Sequence, residues 1–562
     1  VRWIEYLVFL GLVIGLAKPT GAYLARVFEG RPTWLDGALR PVESLLLAGL
    51  GVRRGAEMSA GLYFASFVLF GLLGVAALFG LLLLQRALPG GPADPYLSTP
   101  MTPDLALNTA VSFATTTTWQ AYAGESTLRY LTQTVGLVSQ NFLAGAAGLA
   151  VGIAFIRGLA RTHSATIGNF WVDLIRALLW VMLPIAVVGG VFLLWQGVPM
   201  NFAPYTQAHT LEGPVQTIAQ GPVAALEFIK NLGTNGGGFF NVNAAHPYET
   251  PTPLAGFVAL LAIAVAPAAL TMTFGEMTGS PRAGWVLLGV MAALFVAGLA
   301  LCDHAEAASP PHLAGLHLVG GNLEGKETRF GVGDSVLTAV VTSNGATGSY
   351  DSMHDSFEPM GVFVPLLNML LGEVVFGGLG TGLYGMLIIA LFAVFLGGLM
   401  IGRTPAYLGK QLTAEETKLV ALYLLLTPLV VLGLSAIALT TKAGLAGIQT
   451  NPGPHGLTEV IYAYASSVAN NGQTMASLNA NSVPYNLTTA LAMLAGRFGL
   501  AGLALTLAGR FAAQGRLATT PGALPSDTVS FGVLVFGTVI IVGALSFLPA
   551  LALGPLLEAV QR

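Results

Sequence analysis

Four short runs of small and polar residues stand out for the chemistry their types and spacing allow. They are TTTT (Thr115–Thr118), TNGGG (Thr234–Gly238), GATGS (Gly345–Ser349) and ANNG (Ala469–Gly472). They offer hydroxyl, amide and backbone oxygens and no carboxylate. A calcium or magnesium site would normally recruit carboxylates, so neutral oxygens suit a weakly hydrated monovalent cation better. Glycine accepts the backbone angles needed to aim successive carbonyls at one axis. Rings of such carbonyls can replace the hydration shell of a potassium ion. From Thr117 to Gly236, Gly348 and Gly472 the steps are 119, 112 and 124 residues. A near-constant period of this kind marks one supersecondary unit used four times.

Each run is preceded by an apolar segment of 11 to 13 residues: Asp104–Ala114, Pro222–Gly233, Gly333–Asn344 and Gly456–Val468. These are too short to cross a bilayer. Pro103 with Asp104, Pro222, Asp334 with Ser335, and Thr458 with Glu459 are first-turn or capping residues that start helices. The pattern predicts re-entrant half-helices whose C-termini, each carrying about half a negative charge, converge and favour a cation. Non-helical backbone at membrane depth persists only when buried in protein or lining a water-filled cavity.

The rest of the chain supplies the frame. Of 562 residues, 54% are hydrophobic and 9% charged, with mean hydropathy +0.72. Soluble domains carry about 25% charged residues, so this is a polytopic membrane protein. The net charge of −3 argues against a nucleic-acid partner. Cys302, the single cysteine, excludes an internal disulfide and a thiolate metal site. Ten runs are long enough to span: about 3–17, 61–85, 130–156, 172–195, 254–277, 284–302, 380–402, 419–440, 485–510 and 527–551. The first lacks a cleavage-site pattern and reads as a retained helix. The expected fold is all-α: ten transmembrane helices, four span–pore helix–span repeats around a central pore, and flanking first and last helices. The divisions are 1–60 (first helix and cytoplasmic segment), 61–171, 172–283, 284–418 and 419–526 (the four repeats, the third with a broken second helix), and 527–562 (last helix). Alternate connections hold 15 of the 24 basic residues, Arg403 among them, against eight on the other side, Arg562 included. The positive-inside rule makes the basic side cytoplasmic and both termini extracytoplasmic.

Seven motifs carry a specific resemblance: SFATTTTWQ (Ser112–Gln120), NLGTNGGGFFNVN (Asn231–Asn243), GKETRFG (Gly325–Gly331), MHDSF (Met353–Phe357), GEVVFGGLGTGLYGML (Gly372–Leu387), LMIGRTPAYLGK (Leu399–Lys410), and LNANS with TTALAMLAGRF between Leu478 and Phe498. Over nearly the whole chain the sequence resembles the potassium-binding subunit (KdpA) of Kdp-type potassium-transporting ATPases. That family is similar in plan to the superfamily of potassium transporters built from four span–pore helix–span repeats. The resemblance implies a bacterial or archaeal plasma-membrane complex in which this subunit selects potassium. A P-type ATPase partner, the B subunit, would hydrolyse ATP with magnesium. A single-span C subunit and a very small F subunit would complete the complex. No Asp in this chain is followed by Lys, so the Asp-Lys-Thr-Gly phosphorylation motif of P-type ATPases is absent and the chain is not itself the ATPase.

Carried over by position, the filter segments are Thr115, Thr116, Thr117 and Thr118; Asn235, Gly236 and Gly237; Ala346, Thr347 and Gly348; and Asn470, Asn471 and Gly472. The family usually alternates asparagine with threonine in the first segment, where this chain has Thr116 and Thr118; carbonyl coordination would tolerate the change. The fourth segment looks one residue shorter than in many relatives. The resemblance places Arg497 near the pore below the filter and Gln120 at a position affecting potassium affinity; the structural alternatives are a snorkelling arginine and a hydrogen bond behind the filter. Gly380-Thr-Gly382-Leu-Tyr-Gly385 matches G-x-G-x-x-G but lacks the strand–turn–helix context of a nucleotide site. It reads instead as a helix break, and Gly380 and Gly382 as a candidate gate, against close small-residue packing. His354 and Asp355 read as structural, and Glu415, Glu416 and Lys418 as a solvated cytoplasmic turn. Two rival functions fit less well. A stand-alone potassium channel or symporter would not need the flanking spans. A sodium-coupled solute carrier should show inverted rather than parallel repeats.

Overall fold

The computed structural model describes residues 2–88, 96–308, 320–400, 402, 405–517 and 525–561. Arg403 and Arg562, both used in assigning the basic side, lie outside the described residues. The helices are α1 (Arg2–Phe28), α2 (Asp36–Gly49), α3 (Ala60–Ala87), α4 (Pro103–Ala114), α5 (Thr132–Ala160), α6 (Phe170–Gln196), α7 (Val223–Leu232), α8 (Pro253–Thr278), α9 (Pro281–Glu306), α10 (Gly331–Asn344), α11 (Pro359–Leu370), α12 (Thr381–Met400), α13 (Ala414–Thr440), α14 (Pro454–Ala469), α15 (Val483–Ala513) and α16 (Val529–Gln561). Among the described residues, ten helices are long and apolar enough to cross a membrane. A short hairpin pairs β1 (Thr206–His209) with β2 (Val215–Ile218) in the connection before α7.

Local chemistry starts these helices where they start. Ser59, Thr252 and Thr528 cap α3, α8 and α16 by accepting from Leu62, Ala255 and Phe531 N–H groups. Prolines open α4, α8, α9, α11 and α14, where a missing N–H costs nothing. The four repeats are α3–α4–α5, α6–α7–α8, α9–α10–α11/α12 and α13–α14–α15. In the most apolar 18 residues of their second long helices, α5, α8, α12 and α15, 89%, 56%, 72% and 50% are buried. The matching values for α3, α6, α9 and α13 are 22%, 39%, 39% and 17%. The second helix of each unit therefore builds the centre, and the first faces outward.

Three features differ from the sequence expectation. The first helix runs from Arg2 to Phe28 rather than 3–17, carrying Pro19 in its interior. Gly21 lets it close on α8, since a Cβ there would lie 2.6 Å from Ala269 O. The second helix of the third repeat is broken as expected, but its first half, α11, lies outside the expected 380–402 span and is joined to α12 by a loop at 371–380. Glu416 is not solvated: it is 1% exposed, accepts from Thr413 N (3.0 Å) in a capping box, and from Arg510 Nε (2.6 Å).

Ends and basic residues segregate. Tyr6 donates to Asp303 and Gly333 O near the start of α10, and Glu558 lies against His455 at the start of α14. The start of α1 and the end of α16 thus sit on the face from which the half-helices enter. On the opposite face Arg157 forks onto Asp173 (2.5 and 2.8 Å), Arg176 meets Glu43 (2.9 Å), and Lys410 donates to Arg161, Phe511 and Gln514 carbonyls (2.6, 2.8 and 2.9 Å), capping α5 and α15.

Candidate cation-binding site

The four half-helices α4, α7, α10 and α14 are almost wholly buried and end at Ala114, Leu232, Asn344 and Ala469. After each the chain turns the same way. The second-position amides of Asn235, Thr347 and Asn471 donate back five residues to Lys230, Thr342 and Ser466 carbonyls (2.9, 3.2 and 2.9 Å), and the third-position amides of Thr118 and Gly236 donate back six residues to Ser112 and Lys230 carbonyls (3.1 Å each). The backbone then enters the left-handed region at Thr116, Thr234, Ala346 and Asn470, and again two residues later at Thr118, Gly236 and Gly472. The equivalent triplets are therefore Thr116–Thr118, Thr234–Gly236, Ala346–Gly348 and Asn470–Gly472.

The triplets touch in chain order and close a ring. Thr118 Oγ donates to Asn235 O (2.6 Å). Gly348 N donates to the same oxygen (3.3 Å). A Cβ on Gly348 would lie 2.6 Å from Asn471 O, and one on Gly472 would collide with Thr117 O. The middle-position carbonyls of Thr117, Asn235 and Asn471 thus sit at the joints between neighbouring segments. In the last three segments glycine holds the third position because the neighbour's backbone occupies the side-chain space, and Gly236 and Gly472 also have a positive φ. Thr118 takes that position in the first segment with φ 49°, and its hydroxyl fills the joint with Thr117 O and Asn235 O.

The filter residues expected from the sequence lie at or beside this ring, with two shifts of register. Thr115 ends α4, its hydroxyl pairing with that of Thr117 (2.8 Å). Gly237 stands one step outside its triplet, and Thr234 holds the place within it. Asn470 donates to Thr117 Oγ (2.9 Å) and Met493 O (3.0 Å). Gln120 accepts from Gly238 N (2.8 Å) and donates to Tyr122 (3.2 Å), tying the first outer loop to the second. Phe239 and Phe240 are buried, the latter stacked on His246 at 3.6 Å.

Beneath the ring lie two elements. Arg497 is 3% exposed and donates to Thr116 Oγ (3.2 Å) and Ala144 O (2.6 Å), its guanidinium over the Phe67 ring; it does not snorkel. The 371–380 loop reaches the other three segments. Leu379 N donates to Thr234 Oγ (2.9 Å), Asn471 Nδ2 donates to Glu373 Oε1 (2.7 Å), and a Cβ on Gly378 would lie 2.8 Å from that of Ala346. Gly380 sits left-handed against Gly148 and Gly152 of α5, and Gly382 against Gly377. The candidate gate residues are thus tightly packed where the loop passes into α12.

Two buried ion clusters, unforeseen from the sequence, brace the outer side. Lys230 is fully buried between Glu227 (2.6 Å) and Glu249, and Glu249 also accepts from Phe240 N (3.0 Å). Lys326 meets Glu306 (2.8 Å), which also accepts from Glu358 N and Asn322 (2.8 Å each).

Residues 7–560 match the family described as the potassium-transporting ATPase A subunit. The chain belongs to this family. It is 49% identical to a potassium-transporting ATPase potassium-binding subunit of Acidobacterium capsulatum, covering 99% of this chain and 98% of that protein. A protein of the same name from Methylobacterium radiotolerans is 49% identical, covering 99% and 97%, and one from Bradyrhizobium diazoefficiens 47%, covering 99% and 98%. Among solved structures, the fold is similar to the potassium transporter TrkH of Vibrio parahaemolyticus. The TM-score is 0.53 at 14% identity, over 89% of this chain and 97% of that one. The architecture has four half-helices entering from one face, an arrangement the inverted-repeat rival does not predict.

Proposed function

We propose that this chain is the potassium-selecting subunit of an ATP-driven potassium uptake complex, with the four-triplet ring as its filter. The observation that carries this reading is the closure of the ring, each segment abutting the next in chain order at the converging C-termini of four buried half-helices. Those termini supply negative potential, and the neutral oxygens of Thr116–Thr118, Thr234–Gly236, Ala346–Gly348 and Asn470–Gly472 replace water around a monovalent ion. Potassium enters from the extracellular face, which is the face bearing the start of α1 and the end of α16, and the basic face is cytoplasmic. The ion then passes to the P-type ATPase partner, where ATP and magnesium act; the single-span and very small subunits complete the assembly. The host membrane is a bacterial or archaeal plasma membrane.

Passage below the ring is controlled by the loop at 371–380 and by Arg497. At about 8 Å and an effective dielectric near 20, a unit positive charge raises a cation's barrier by about 2 kcal/mol, roughly thirtyfold in rate. Arg497→Gln is accordingly expected to raise ATP-independent rubidium leak into proteoliposomes by about that factor; leak at the wild-type level would remove Arg497 from this role. The proposal as a whole is tested by purifying the chain with the subunits that accompany it and measuring ATP hydrolysis against potassium and sodium. Hydrolysis stimulated by potassium and not by sodium is expected; stimulation by neither, with an ATPase subunit present, would overturn it.

A further inference from the structure

Away from the ring, Asp355, His455 and Glu459 converge although 100 residues separate the first two in sequence. One donor atom of each lies within 4.8 Å of the other two. The place is the face from which α14 enters: Asp355 follows the third filter segment, and His455 and Glu459 lie in the first two turns of α14. Each carboxylate is held through one oxygen; the other oxygen of Asp355 pairs with His455, and that of Glu459 is unpartnered among the described residues. Asp355 Oδ2 accepts from Ser477 Oγ and Asn451 Nδ2 (3.4 Å), and Glu459 Oε1 accepts from Asn451 (2.9 Å). Asp355 Oδ1 then faces His455 Nε2 at 3.2 Å. Glu459 is 0% exposed, and its Oε2 has no hydrogen-bond partner among the described residues. A buried carboxyl oxygen without a partner is costly whether it carries a proton or not, which points to a ligand.

We propose that Asp355 Oδ1, His455 Nε2 and Glu459 Oε2 bind a transition-metal dication of the zinc type at the mouth of the protein. Two ligands sharing a tetrahedral zinc at bond lengths near 2.0–2.1 Å stand about 3.3 Å apart, which the Asp355–His455 separation already matches. The other ring nitrogen, Nδ1, faces both Glu558 oxygens at 3.1 Å. A metal-ligating histidine almost always gives its second N–H to such a carboxylate, which fixes its tautomer and raises its basicity. One nitrogen with two carboxylates is a borderline donor set suited to zinc rather than to calcium, which prefers six to eight oxygens. The His455 side chain is 14% exposed, so the ion has a way in. The bound ion joins the third and fourth repeats and, through Glu558, the last helix. Asp355 thereby has a ligand role where the sequence suggested a structural one. The metal site does not depend on the ring being a potassium filter.

The test uses the full chain, without a histidine tag, purified in detergent with its accompanying subunits. Zinc titration by calorimetry is expected to give one saturable site per chain, and cobalt in its place the visible absorption of a tetrahedral complex. Glu459→Gln and His455→Gln are each expected to weaken zinc at least tenfold and to abolish zinc's upward shift of the thermal midpoint. Absence of saturable zinc binding and of a cobalt spectrum in the wild type would overturn the proposal, as would wild-type affinity in both variants. The wild-type measurements stand even if a variant fails to fold.

Discussion

Gly236→Ala is expected to raise the potassium concentration that half-saturates the complex's ATP hydrolysis by at least about tenfold, equivalent to some 1.4 kcal/mol of binding. Two effects combine. Gly236 has φ 91°, which a residue with a side chain adopts only under strain of about 1–3 kcal/mol. Its added Cβ would also press on Gly348, 2.5 Å from Cα and 2.8 Å from C, where only backbone can yield. The ring is closed, so a shift at that joint propagates to Asn471, Gly472 and Thr117. Gly213→Ala is the control. Gly213 has φ 97° in the turn between β1 and β2, and an added Cβ would meet nothing within 4 Å among the described residues. It carries the same kind of backbone strain without the crowding and should leave potassium dependence unchanged. Equal potassium dependence in Gly236→Ala and the wild type would show that the joint does not shape the ion site.

Lys230→Met should be the most destabilising single change near the site. It leaves Glu227 and Glu249 buried with no counter-charge, and breaking a buried pair in this way costs about 3–5 kcal/mol. The damage reaches the ring because Lys230 O accepts from Asn235 and Gly236 amides (2.9 and 3.1 Å), and Glu249 holds Phe240 N on the far side of the loop. Removing all three charges, as Lys230→Met with Glu227→Gln and Glu249→Gln, should recover part of the loss, since an apolar or neutral replacement of a whole cluster is often tolerated. Thermal unfolding in detergent measures both. A single variant as stable as the wild type would contradict the bracing role of the cluster.

What the sequence made legible follows from local physics. Apolar length placed the spans, and short apolar runs with first-turn Pro, Asp and Thr placed the four half-helices within a few residues. The register of the second segment was not legible, because three consecutive glycines can each take a positive φ. The hydrogen bonds of Asn235 and Gly236 to Lys230 select Thr234 and Gly236, and leave Gly237 outside. Helix α11 escaped because 12 residues are too few for the spanning rule. In the sequence Glu416 reads as solvated although Thr413, three residues earlier, forms a capping box with it. Its burial depends on Arg510, 94 residues away. The same is true of Lys230 with Glu249 and of Asp355 with His455: charge partners brought together by the fold leave no local trace.

In the proposed function the ring of Thr116–Thr118, Thr234–Gly236, Ala346–Gly348 and Asn470–Gly472 holds the selected ion. The most direct test is a structure of the complex in thallium, a potassium substitute located by anomalous scattering. A filter at the ring predicts a peak on the ring axis, displaced by potassium and not by sodium. An ordered thallium ion elsewhere in the chain with the ring unoccupied would contradict it.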